Sequence, residues 1–125
     1  MIPAADLEVM IVDDSFLMRK ILSTMLEMSG CVVVAQAADG IEAVAKYAEF
    51  RPQVVFMDLV MPNKNGIDAT KEIISGDKKA KIVMCSTMGH EDLIKAALGS
   101  GARDVVFKPY ELGNIKEVLG KLTLF

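Results

Sequence analysis

The chain has 125 residues, of which 52% are hydrophobic and 25% are charged, a composition typical of one soluble globular domain and not of a disordered protein. Its net charge of −3 at pH 7 argues against nucleic-acid binding through phosphate contacts and against attachment to an anionic membrane. The sequence contains no apolar stretch of the roughly 20 residues that a membrane-spanning helix needs, and residues 1–7 carry no signal-peptide pattern. We therefore expect a cytoplasmic protein.

Five short apolar runs that are rich in valine and isoleucine recur along the chain. They do not alternate with polar residues, which is typical of strands that are buried on both faces of a parallel sheet. The predicted strands are Val9–Val12, Cys31–Ala35, Val54–Met57, Ile82–Cys85 and Val105–Phe107.

Segments with helical spacing of apolar residues follow each strand, and Ser15 is the predicted N-cap of the first helix. The predicted buried stripes of the first two helices are Leu17, Ile21, Thr24, Met25 and Met28, and then Ile41, Val44, Ala45 and Ala48. The stripes of the other three helices fall within residues 67–74, 93–97 and 112–122. This alternation predicts one doubly wound α/β domain over residues 1–125, flavodoxin-like, with five helices and a five-stranded parallel sheet in the order 2-1-3-4-5.

The two cysteines and the single histidine point to no metal centre of their own. In the predicted strand order Cys31 and Cys85 are three strand spacings apart, about 14 Å, so we expect two free thiols. His90 is interpreted as a solvated residue near the start of a helix.

Polar residues follow four of the five predicted strands, at the sheet edge where open α/β folds bind their ligands. They are Asp13 and Asp14 after the first strand, Asp58 after the third, Ser86 and Thr87 after the fourth, and Lys108 after the fifth. An aspartate at a strand end can simply cap the next helix, and Asp14 allows that interpretation. Asp58 does not, because it interrupts an apolar run with no helix directly after it.

Three carboxylates at one sheet edge need a cation among them. Two carboxylates about 4 Å apart repel by roughly 4 kcal/mol at an effective dielectric constant of about 20. Oxygen ligands without histidine or thiolate suit Mg²⁺ or Mn²⁺. One carboxylate of such a cluster can act as a nucleophile and form an aspartyl-phosphate, while the metal ion and a lysine neutralise the transferred phosphoryl group.

Four segments together resemble response-regulator receiver domains of the single-domain, CheY-like chemotaxis type. They are IVDDS at 11–15, VVFMDLVMPNKNG at 54–66, KIVMCSTMG at 81–89 and GARDVVFKPY at 101–110. The resemblance spans the whole chain and implies that Asp58 is the phosphoacceptor. It also implies an Mg²⁺ site in which Asp14 is a direct ligand and Asp13 binds largely through water. Asp58 and the backbone carbonyl of Val60 complete that set.

The same resemblance assigns the groups that handle the phosphoryl group. Lys108 would pair first with Asp58 and then with the phosphoryl oxygens. Ser86 would be the switch hydroxyl, with Thr87 as its rival, and the Lys108-Pro109 bond would be cis. Gly66 would open the third helix.

The resemblance further implies that a sensor histidine kinase phosphorylates the domain and that the fourth helix, fifth strand and fifth helix present the output to a partner protein. The process would be chemotaxis, and the flagellar motor switch is one candidate target. The domain would be a monomer that turns over no outside substrate, and it would catalyse only its own phosphorylation and dephosphorylation. We expect no partner among nucleic acids or membranes.

Four positions give this chain its own character within the family pattern. The resemblance implies that Val60 and Met88 border the path of the attacking water; both are apolar here, which predicts slow autodephosphorylation. Val105 stands where the family commonly has an aromatic residue that turns inward on activation. Phe107 lies on the same strand face by alternation, so it could report activation in place of that aromatic residue. The preferred interpretation is that Phe107 is core packing and that activation works through Ser86 and the loop from Thr87 to Glu91 alone.

Three alternatives from other classes remain. An aspartyl phosphatase would resemble a DxD motif, but the second acid is missing from Asp58-Leu59-Val60. A flavodoxin-like electron carrier fits the strand order, yet the first loop is acidic and the chain has no tryptophan and two tyrosines. A docking module that no longer takes phosphate is the third alternative.

Overall fold

The computed structural model describes residues 6–123 as a sheet between two layers of helices. The strands are β1 (Glu8–Val12), β2 (Val32–Ala37), β3 (Val54–Asp58), β4 (Ile82–Ser86) and β5 (Asp104–Phe107). The helices are α1 (Phe16–Met28), α2 (Gly40–Phe50), α3 (Gly66–Gly76), α4 (Glu91–Gly99) and α5 (Leu112–Thr123). All strand pairs are parallel and their order is β2-β1-β3-β4-β5, which confirms the predicted fold.

The central strands are buried on both faces, as their unbroken apolar runs predicted. Neighbouring residues of β3 point to opposite sides, so Met57 belongs to one core and Phe56 to the other. The first core packs against α2, α3 and α4, and the second against α1 and α5. Among residues 6–123, no helix is long and apolar enough to cross a bilayer.

Helices α1, α2 and α3 begin at polar caps. The hydroxyl of Ser15 accepts a hydrogen bond from the amide of Met18 at 3.2 Å, which confirms the predicted cap of α1. Asp39 caps α2 and Asn65 caps α3 in the same way. Because Ser15 and Asn65 also close the loops after β1 and β3, these caps fix the elements that carry the acidic residues.

The predicted buried stripe of α1 is largely wrong. Leu22 and Leu26 are the buried residues, whereas 64% of Leu17 and 63% of Met28 are exposed. The helix carries two apolar stripes of equal period, and the periodicity alone does not say which of them faces the sheet. The exposed apolar stripe lies on the outer surface of the domain and begins at Leu17, three residues after Asp14.

The stripe of α2 is also displaced, because Ala43 and Tyr47 are buried while Ile41 is exposed. In α5 the stripe is confirmed, with Ile115, Leu119 and Leu122 buried. The buried pair of α2, Ala43 and Tyr47, has the same helical spacing as the exposed pair Ile41 and Ala45, so the period alone does not say which pair faces the sheet.

Two further details differ from the sequence interpretation. Strand β2 begins at Val32 and runs to Ala37, so Cys31 lies before it; both cysteines are buried and free. Phe107 is 39% exposed on the edge strand β5, so its interpretation as core packing is wrong. An edge strand has a neighbour on one side only, which leaves its side chains partly open to solvent.

Candidate metal and phosphoacceptor site

The predicted site residues meet at the carboxyl edge of the sheet. Asp13 directly follows β1, Asp58 ends β3, Ser86 ends β4 and Lys108 directly follows β5. Because β1 and β3 are neighbours and the chain order reverses there, the carboxylates lie at the topological switch point, where such sheets bind their ligands.

The three carboxylates form one cluster with the lysine. One oxygen from each of Asp13, Asp14 and Asp58 lies within 4.8 Å of the others. The Lys108 Nζ is 2.8 Å from Oδ2 of Asp13 and 3.3 Å from Oδ1 of Asp58. Asp13 and Asp58 are buried, with 2% and 7% of their surface exposed, whereas Asp14 is open to solvent. The geometry therefore brings together all four charged residues that the sequence predicted.

Burial and like charge make Asp58 an unusual aspartate. Its pKa rises from 3.8 to about 6, first because the carboxyl is desolvated and then because the Asp13 charge is close. Lys108 lowers the pKa of Asp58 through its charge and its hydrogen bond, but by less than burial and Asp13 raise it. Burial lowers the pKa of Lys108 itself, but the hydrogen bond from its ammonium to Asp13 and the charges of Asp58 and Asp13 outweigh this and leave the pKa raised. The ammonium therefore stays charged.

The donor set fits a hard divalent cation. Three carboxylates and one ammonium sum to a formal charge of −2, which a divalent ion cancels. Asp13 already accepts hydrogen bonds from the Ser15 amide at 2.8 Å and from Lys108, while Asp14 is exposed. This difference favours Asp14 as the direct ligand and Asp13 as the ligand acting through water. The Val60 carbonyl stays a prediction.

Both hydroxyl candidates border an open pocket beside Asp58. Ser86 is buried and its Oγ donates a hydrogen bond to the Thr87 carbonyl at 2.7 Å. Thr87 is exposed. The pocket is lined by Asp58, Leu59, Val60, Ser86, Thr87, His90 and Lys108.

The sequence interpretation missed His90. The residue occupies the N-cap position of α4 without a side-chain cap hydrogen bond, it is half-buried, and it lines the pocket beside Asp58. A usable signal was its place four residues after Ser86, because the loop that follows β4 also lies at the carboxyl edge of the sheet.

Gly66 is required by a close approach to the backbone of Asp58. A Cβ at this position would lie 2.2 Å from the carbonyl oxygen of Asp58, and the Gly66 amide bonds to the Leu59 carbonyl at 3.1 Å. Gly66 is the first residue of α3, as predicted. The Lys108-Pro109 bond is cis, also as predicted, and the Lys108 amide bonds to the Ser86 carbonyl at 2.8 Å.

This fold with this acidic edge defines a class, the receiver domains of two-component response regulators. The sequence matches the response regulator receiver domain over residues 9–120, so the chain belongs to that family.

The proteins similar to this chain include chemotaxis proteins named CheY. The chemotaxis protein CheY of Thermotoga maritima is 43% identical over 115 residues, covering 92% of this chain and 96% of that protein. The chemotaxis protein CheY of Bacillus subtilis is 41% identical over 113 residues, covering 90% and 94%. A crystal structure of the CheX-CheY-BeF3-Mg²⁺ complex from Borrelia burgdorferi contains a chain that superimposes with a TM-score of 0.90 at 32% identity, covering 95% of this chain and 90% of that chain.

Proposed function

We propose that Asp58 accepts a phosphoryl group from the phosphohistidine of a sensor histidine kinase. The observation that carries this proposal is the cluster of three carboxylates within 4.8 Å of one another, with the Lys108 ammonium against two of them. Mg²⁺, or Mn²⁺ in its place, would be held by Asp13, Asp14, Asp58 and the backbone carbonyl of Val60. When bound, the ion supplies positive charge for the phosphoryl oxygens.

The transfer step uses the groups at the sheet edge. An Oδ atom of the ionised Asp58 attacks phosphorus, the P–O bond forms, and the P–N bond to the histidine breaks with its electron pair going to the imidazole nitrogen. Lys108 moves from the carboxylate to the phosphoryl oxygens and neutralises part of their charge. Water later attacks the phosphorus, the P–Oδ bond breaks with its electron pair going to the Asp58 carboxylate, and inorganic phosphate leaves with the proton of the water. The domain transforms only its own side chain and no outside substrate.

The switch begins at the hydroxyl of Ser86. In the structure this Oγ bonds to the Thr87 carbonyl, and phosphorylation offers it a charged acceptor in the adjoining pocket. Charge-assisted hydrogen bonds are about twice as strong as neutral ones, so the hydroxyl exchanges partners and the loop from Thr87 to His90 follows. Ser86 also lies opposite Phe107 in the pairing of β4 with β5. A movement at Ser86 is therefore passed to β5.

The output face consists of α4, β5 and α5. The exposed part of Phe107 lies on this face, where a partner protein can sense the shift. Relatives named chemotaxis proteins support chemotaxis as the process, with the flagellar motor switch as one candidate target. We propose the cytoplasm as the site of this activity, because a phosphohistidine donor would have to be in the same compartment as Asp58.

The test is phosphorylation in vitro. The protein is incubated with Mg²⁺ and acetyl phosphate, and in a second arm with a phosphorylated kinase, and the adduct is mapped by mass spectrometry. An acid-stable, base-labile adduct at Asp58 is expected. It should vanish in Asp58→Asn and remain in Asp68→Asn, which changes an exposed aspartate of α3. An adduct that persists in Asp58→Asn, or steady turnover of a generic phosphate ester, contradicts the proposal.

A further inference from the structure

We propose that Asp39 and Gly40, at the start of α2, are positioning residues that hold the β3–α3 loop (residues 59–65) in its metal-binding shape. The inference rests on the proposed function, because this loop carries the Val60 carbonyl. Neither residue belongs to the acidic cluster, and neither follows a predicted strand directly.

Two hydrogen bonds join the start of α2 to the tip of the loop. The Gly40 amide donates to the Lys64 carbonyl at 3.0 Å, and the Asn63 Nδ2 donates to Oδ2 of Asp39 at 2.8 Å. The other carboxylate oxygen of Asp39 accepts from the Glu42 amide at 2.8 Å and so caps α2. One side chain therefore connects the loop to the end of a helix that is packed on the sheet.

Steric fit supports the same contact. A Cβ on Gly40 would lie 2.4 Å from the Lys64 carbonyl oxygen, which is too close for any side chain. Asn63 has a φ of +67°, in the left-handed region that asparagine tolerates better than most residues. The loop thus turns sharply at Asn63 and then passes directly over Gly40.

The base of the loop is closed separately. Gly66 packs on the Asp58 carbonyl and its amide bonds to Leu59, so the chain returns to β3 within a few residues. Leu59 and Met61 are both buried, and Val60 lies between them with its side chain exposed. Because the loop is fixed at its base and at its tip, the direction of the Val60 carbonyl is set before any ligand arrives. A preset ligand loses less conformational freedom on binding.

The experiment measures Mg²⁺ affinity by NMR titration of the amide signals of the uniformly ¹⁵N-labelled full chain, without any phosphodonor. Asn63→Gly allows the left-handed backbone, removes the side-chain bond and adds backbone freedom at one residue of the loop, and should weaken Mg²⁺ binding about threefold. Asp39→Ser keeps a residue that can cap α2, but the serine side chain is too short to reach Asn63. This variant should also weaken Mg²⁺ binding about threefold. Gly40→Ala should weaken binding about tenfold or more, as loss of support around metal ligands does.

Two controls separate positioning from general stability. Gly76→Ala makes the same chemical change in α3, where a Cβ meets no atom within 4 Å, and should leave Mg²⁺ affinity unchanged. Thermal unfolding in EDTA should be nearly the same for Asn63→Gly and the unaltered protein. The Asp39→Ser, Asn63→Gly double variant should lose no more affinity than either single variant, because both remove the same bond.

The outcomes are distinguishable. If the unaltered protein binds Mg²⁺ and Asn63→Gly, Asp39→Ser and Gly40→Ala bind it equally well, the positioning role is overturned while the proposed function stands. If the unaltered protein binds no Mg²⁺, both are overturned. If affinity falls in these variants and not in Gly76→Ala, the positioning role is supported.

Discussion

Replacing Asp58 by asparagine should stabilise the metal-free protein. Folding raises the pKa of this carboxyl from 3.8 to about 6, chiefly through burial and secondarily through the charge of Asp13. At about 1.4 kcal/mol for each pH unit, keeping Asp58 ionised in the folded state costs about 3 kcal/mol. Asparagine has nearly the same shape and no charge, so Asp58→Asn should recover most of that amount, which is a rise of about 10 °C in Tm for a chain of this length.

The gain in stability from Asp58→Asn should increase as the pH rises. Because the pKa of Asp58 is higher in the folded than in the unfolded chain, the folded state binds more protons between pH 3.8 and about 6. The stability that the protonated carboxyl gives is complete below pH 3.8 and is lost as the pH rises through 6. Asp58→Asn should therefore differ little from the unaltered protein near pH 4 and differ fully above pH 7.

Urea unfolding in EDTA at pH 4 and at pH 7.5 measures the effect, with the slope m compared to verify the two-state analysis. Asp68→Asn is the matched control: it removes an exposed carboxylate from the first turn of α3 and should lose up to about 1 kcal/mol rather than gain stability. Mg²⁺ should reduce the difference in unfolding free energy between Asp58→Asn and the unaltered protein at pH 7.5, because the cation offsets the charge of Asp58. Equal stability of Asp58→Asn and the unaltered protein at pH 7.5, or a gain of the same size at both pH values, would refute the reasoning.

Three other predictions concern metal affinity, adduct lifetime and output. Asp14→Ala should reduce Mg²⁺ affinity more than Asp13→Ala in a calorimetric titration, and equal titration of both variants and the unaltered protein would disprove the ligand assignment. Val60→Asn combined with Met88→Glu should shorten the half-life of the ³²P-labelled adduct, because polar groups orient the attacking water; an unaltered decay rate contradicts this. Phe107→Ala should destabilise the protein by less than a core truncation, about 1 kcal/mol, and yet weaken binding of the target; unchanged target affinity would remove Phe107 from the output face.

The sequence predicted the fold and the acidic site for one physical reason. Strands that are buried on both faces appear as uninterrupted apolar runs, and the polar residue that ends such a run marks the sheet edge. Asp58 after Met57, and Lys108 after Phe107, were identified in this way. The parallel pairing then brings these ends together regardless of how the helices pack.

The sequence pattern could not predict which face of each helix packs on the sheet or which loops contact each other. Leu17 and Leu22 are equally apolar, and only the shape of the sheet surface decides that Leu22 is buried and Leu17 exposed. The bond between Asp39 and Asn63 joins residues 24 positions apart in two irregular segments, for which no periodic pattern exists. His90 likewise lines the pocket through the path of a loop and not through a strand end.

The charge of the site explains why a modest chemical event can move the proposed switch. Lys108 is shared between Asp13 and Asp58, so a single ammonium faces two buried carboxylates. Under the proposed function, a phosphoryl group on Asp58 would draw Lys108 away and would offer Ser86 a stronger acceptor than the Thr87 carbonyl that it now uses. In the proposed switch, the loop movement is therefore driven by the difference between the phosphoryl oxygens and the Thr87 carbonyl as hydrogen-bond partners of Ser86.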